Sequence, residues 1–77
     1  MIIVFYYNIN EKEYNTKFNF KCNTENLLKI DKYYDNYYLN TEKTIENLGK
    51  LNKNLYIDFY NFVKYCSDNK INVELGF

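Results

Sequence analysis

Cys22 and Cys66 carry the only thiols of this chain and Ser67 the only serine hydroxyl, and there is no histidine to take a proton from any of them. Proton transfer near neutral pH most often recruits an imidazole. A cysteine nucleophile needs a neighbouring base or an electropositive setting to become thiolate. Both cysteines instead fall on the apolar side of their segments, where cysteine packs as a small hydrophobe. Ser67 falls where the last helical pattern ends, a position for capping or solvation. Asp31 and Asp35 stand four apart and would share a face if that segment were helical. Paired carboxylates there would suit hydrolysis or a hard cation, but no third ligand and no calcium-loop spacing accompanies them. Gly49 and Gly76 are the only glycines, which excludes a phosphate-cradling glycine loop. The residue types predict a protein that is not an enzyme, with no metal and no cofactor.

Tyrosine is the remaining chemistry. Tyr33, Tyr34, Tyr37 and Tyr38 crowd around Asp35 and Asn36. Read as a hairpin, the segment places Asp35 and Asn36 at the two turn positions, since both types tolerate positive φ. Alternate strand residues point to opposite faces, so half of these tyrosines at most can enter one core. The others would present large, stiff contact area of the kind enriched in binding hot spots, or prop the flank of a small core. A second candidate patch is Ile57, Tyr60 and Lys64, on the polar side of the last helical pattern. The preceding helix or a dimer mate would otherwise cover it. Tyr33, Tyr34, Asp35, Asn36, Tyr37, Tyr38, Ile57, Tyr60 and Lys64 are therefore the candidate partner-binding residues.

The elements that must position these residues follow from periodicity. Ile2–Ile9 is β-branched and aromatic on both sides, as in a strand covered on two faces. Asn10-Glu11-Lys12-Glu13 reads as a four-residue hairpin loop. From Tyr14 to Cys22 the chain alternates, with Tyr14, Thr16, Phe18, Phe20 and Cys22 against Asn15, Lys17, Asn19 and Lys21. That is a strand with one wet face. Residues 23–40 support two readings. Thr24 could cap a helix bearing Leu27, Ile30, Tyr34 and Tyr37, or the tyrosine pairs could flank a second hairpin. The strand preference of tyrosine favours the hairpin.

Further on, Leu55, Phe59, Phe62, Val63 and Cys66 form one stripe of an amphipathic helix over 54–68. A shorter helix over 44–51 precedes it, carrying Ile45 and Leu48. Ile45, Leu48, Asn52, Leu55, Phe59, Phe62 and Cys66 also fit a heptad seam. A single helix along it would be about 40 Å long, overhanging a domain whose radius of gyration should be about 11–12 Å. The Gly49–Asn54 stretch favours two helices with a turn between them. Ile71, Val73 and Leu75 alternate with Asn72 and Glu74 as a closing strand. The expected architecture is a single α+β domain over residues 1–77, a small antiparallel sheet packed by one or two C-terminal helices.

Composition bounds the function. Ten lysines face ten acidic residues, balanced on either side of Asn40, and arginine is absent. A protein that coats nucleic acid carries a basic excess, and the guanidinium fork that reads guanine edges is missing. Ala, Arg, Gln, His, Pro and Trp never occur, while Asn, Lys, Ile and Tyr abound. This is the bias of an AT-rich genome, pointing to a bacterium or to a phage or plasmid living in one. The opening apolar run lacks the basic leader, length and cleavage site of a signal peptide. No stretch approaches the roughly 18 apolar residues of a membrane helix. A cytoplasmic protein with two reduced thiols is expected.

The chain is similar in size and style, though in no motif, to phage- or plasmid-encoded inhibitors of host machines such as the anti-CRISPR proteins. The likeness implies a small protein-binding module that acts by occlusion on a larger host protein or complex. Two alternatives stand beside it. One is a single-stranded nucleic-acid binder stacking bases on tyrosine, with Lys17, Lys21 and Lys32 on phosphates. The other is a structural homodimer using the Ile45–Cys66 seam.

Overall fold

Two hairpins, two helices, a 3-10 turn and a final strand make up the described residues. A computed structural model describes residues 1–20, 27–51 and 53–76, with the side chains of Lys53 and Leu55 outside that description. The expected roles of Lys21, Cys22, Thr24 and Asn52 also lie outside the described residues. Strand β1 (Ile2–Ile9) turns into β2 (Lys12–Asn19), and β3 (Ile30–Tyr33) turns into β4 (Asn36–Leu39). Helix α1 (Thr41–Gly49), a 3-10 turn (Lys53–Tyr56) and helix α2 (Ile57–Asp68) lead to β5 (Val73–Gly76). All pairings are antiparallel, in the order β2-β1-β5-β4-β3. The expected α+β architecture is the one observed. The last strand enters the middle of the sheet, joining the two hairpins. The radius of gyration is 11.8 Å.

The first hairpin is tighter than its composition suggests. Asn10 (φ 51°) and Glu11 (φ 67°) both adopt the left-handed region, making a two-residue loop, and pairing begins at Ile9 opposite Lys12. The expected four-residue loop is thus corrected to two. A primed turn follows the right-handed twist of its strands, so Lys12 and Glu13 are recruited into the ladder.

The second hairpin forms as expected, displaced by one residue. Tyr34 (φ 56°) and Asp35 occupy the turn, and Tyr33 pairs with Asn36. Asn36 is therefore a strand residue. Moving the turn one residue towards the N-terminus changes the cross-strand pairing by two residues, and an even change leaves the side chains grouped on the same faces. Tyr33 and Tyr38 thus lie on one face, while Tyr37 lies on the other with Lys32, whose Nζ sits 5.5 Å from the Tyr37 ring centre.

Two helices, not one, cross the sheet. Asn40 caps α1, its Oδ1 accepting from the Lys43 backbone N–H at 3.1 Å, which starts the helix three residues before the expected Thr44. Buried Thr44 accepts from the Lys29 backbone N–H at 3.1 Å, tying the helix to the entry of β3. At the end of α2 the Ile71 N–H donates to the Cys66 carbonyl at 2.8 Å and the Lys70 N–H to that of Ser67 at 3.2 Å. With Lys70 at φ 53°, this is a Schellman cap in which lysine fills the usual glycine position.

The core lies between the helices and one sheet face. Ile3, Phe5, Val73 and Leu75 from the sheet meet Leu48, Phe59, Val63 and Cys66 from the helices. Phe5 sits at its centre, 5.9 Å from Phe18, 5.5 Å from Phe59 and 5.9 Å from Phe62 between ring centroids. Leu48, Phe59 and Cys66 of the heptad seam are buried here, and Ile45 and Phe62 pack against them. These seam residues serve the chain's own core. β1 is covered on this face only. Ile2 and Tyr6 stay exposed on the other, correcting the expectation of a strand buried on both sides. Among the described residues no helix is long and apolar enough to cross a membrane.

Candidate interaction surface

Because both helices pack on one side, the opposite sheet face has no covering layer among the described residues. Residue pairing runs across all five strands there in a single row: Asn15, Tyr6, Glu74, Tyr38 and Asp31. Tyr6, Glu74 and Tyr38 line one shallow recess together with Asn72. Tyr38 and Asn72 also line a second, shared with Tyr33, Tyr34 and Asp31. The two recesses are neighbours, with Tyr38 and Asn72 between them.

Each side chain there has a local reason for its position. A Cβ on Gly76 would lie 2.6 Å from Cε2 of Tyr6, so the Tyr6 ring occupies the space that a side chain on β5 would need. The Tyr33 and Tyr38 rings meet edge to face at 6.1 Å, an arrangement favoured by the ring quadrupoles. Tyr33 is 61% exposed and Tyr34, at the turn, 96%. The Asp31 carboxylate accepts from Asn40 Nδ2 at 3.0 Å, so the residue that caps α1 also steadies β3. The Glu74 side chain, partly buried, makes no ion pair or hydrogen bond among the described residues.

The sequence-derived candidates divide. Tyr33, Asn36 and Tyr38 come together on the open face, with Tyr34 and Asp35 at its rim. Tyr37 lies on the other side of its strand. Ile57, 43% exposed, Tyr60, partly buried against the core, and Lys64 form a separate patch on α2. Lys64 Nζ there lies 3.8 Å from the Asp68 carboxylate. Asp31 and Asp35 are parted by the hairpin, one in a strand and one in a turn. Alternation sets Lys17 on the open face and Lys32 on the helix side, so the two do not converge. The open face carries Glu13, Asp31 and Glu74 against Lys17.

Cys66 is fully buried, and its burial pushes the thiol up to about 11. Burial also raises the Tyr7 phenol, with smaller contributions from Cys66, Tyr14 and Tyr65. Neither group is poised as a nucleophile or base near neutral pH.

Tyr6 and Glu74 were not among the sequence candidates. The available signal was alternation: Tyr6 opposes Phe5 along β1, and Glu74 lies between Val73 and Leu75. Which side the helices cover is not written in either strand. Compared with family models, curated proteins and solved structures, the chain matches none.

Proposed function

We propose that this chain is a protein-binding module without catalytic activity, working by occlusion: its open sheet face presses onto a larger protein and blocks what that surface would otherwise engage. The observation that carries this reading is a sheet face that no described element covers, with Tyr6, Tyr33 and Tyr38 along it and Tyr34 at its rim. Tyrosine brings contact area at low conformational cost, and clustered aromatics form the centre of tight interfaces. Inhibitors encoded by phages or plasmids are the class that its size and aromatic style fit, with a host protein or complex as the target.

Carboxylates on the same face favour protein over nucleic acid as the partner, since a phosphate backbone would meet Glu13, Asp31 and Glu74 while Lys32 lies on the other side of the sheet. The test is affinity capture from bacterial lysate with the immobilised chain, repeated with a Tyr33→Ala/Tyr38→Ala double variant whose circular dichroism is native. Loss of the captured protein is expected. Undiminished capture by the double variant would reject the open face as the contact surface.

A further inference from the structure

Glu74 occupies an unusual position on that face. It stands in the central strand, directly between Tyr6 and Tyr38 in the cross-strand row, and all three line the same recess. The other carboxylate of the row, Asp31, already accepts from Asn40. Glu74 has no such partner among the described residues, and the nearest lysine of the face, Lys17, sits two strands away on β2. A partly buried carboxylate that a covering partner would desolvate further must then receive a cation or several donors, or it opposes binding.

We infer that the recess receives an arginine side chain of the protein partner, its guanidinium on the Glu74 carboxylate and its plane against the Tyr6 and Tyr38 rings. This rests on the open face being the contact surface. The match is one of charge and shape. A guanidinium is flat, weakly hydrated, forks onto a carboxylate through two parallel bonds and stacks on aromatic faces. Tyr6 and Tyr38 supply those faces. The chain has no arginine of its own to fill the place. Lysine, a compact and strongly hydrated charge, would leave the rings unstacked.

The probe is N-acetyl-arginine amide, titrated into the isotope-labelled chain and followed by NMR. Shifts should concentrate at Tyr6, Glu74 and Tyr38 and weaken as salt is added. N-acetyl-citrulline amide, the neutral isostere, should bind at least about fivefold more weakly, and Glu74→Gln should weaken the arginine probe about tenfold. Equal responses to citrulline or lysine amides, shifts centred elsewhere, or indifference to Glu74→Gln would overturn the assignment.

The captured partner separates this inference from the reading beneath it. Glu74→Gln should weaken that complex about tenfold. Capture lost in the Tyr33→Ala/Tyr38→Ala variant but unaltered in Glu74→Gln would leave the contact surface standing and remove the arginine. Capture unaltered in both would remove the surface and the inference together.

Discussion

On the helix-covered face Phe5 is completely buried among Phe18, Phe59 and Phe62, whereas Tyr6, the next residue of the same strand, is 37% exposed on the open face. Both are large aromatic residues in one regular strand. The difference is the second layer: α1 and α2 lie on one side, and no described element lies on the other. An aromatic ring under a helix holds the fold together, and one facing solvent is available to a partner. In a chain of 77 residues, which can bury only a modest core, leaving a face with several tyrosines uncovered forgoes stability that a second layer would have supplied.

Substitutions should expose that asymmetry. Phe5→Ala removes the hub of the aromatic cluster and should cost about 3–5 kcal/mol, enough to unfold much of the population in a urea titration. If Phe5→Ala and Tyr33→Ala proved equally damaging, the division into a structural and a presenting face would fail.

The covered face should also set the alkaline limit. The Cys66 thiol rises from 9.0 to about 11 in the folded chain. The folded state therefore keeps a proton that the unfolded state releases, and stability is full below pH 9. It should decline by on the order of 2 kcal/mol as pH climbs from about 9 towards 11, with the raised Tyr7 phenol acting in the same direction. Denaturation midpoints across that range, compared with Cys66→Ala, give the check: the variant should show a shallower decline.

A stabilised background would sharpen the comparison. Glu11 holds a left-handed conformation that glycine adopts freely, so Glu11→Gly should add about 1 kcal/mol without touching either face. A lowered melting temperature would contradict the two-residue loop. Smallest of all should be Tyr33→Ala, at about 0.5–1 kcal/mol. The same change should weaken partner capture, so that stability and binding separate at that residue.

Much of the fold was legible because the patterns were local. Alternation in Tyr14–Phe20 marked β2, the Phe59–Val63–Cys66 stripe marked α2, and the tyrosine pairs marked the second hairpin. Errors fell on β1, expected to be covered on both faces, at the start of α1, and at both hairpin turns. Asn10-Glu11 and Tyr34-Asp35 place Glu and Tyr at positive φ, where composition alone would not set them, because strand pairing on both sides outweighs a local cost of about 1 kcal/mol. The candidate surface was legible in part. Tyr33 and Tyr38 were identified from their crowding, but Tyr6 and Glu74 meet them only because β5 enters between β1 and β4.

The amino-acid order by itself determined which residues alternate, which form an apolar helical stripe and that neighbouring strands fold back as hairpins, since these depend on backbone geometry within a few residues. Only the tertiary structure decided that β5 would lie at the centre, that both helices would share one side, and that Tyr6, Glu74 and Tyr38 would stand in a row. Those outcomes depend on contacts between segments far apart in the chain, where the free energy of burying one shared core selects a single arrangement from several that the local patterns allow.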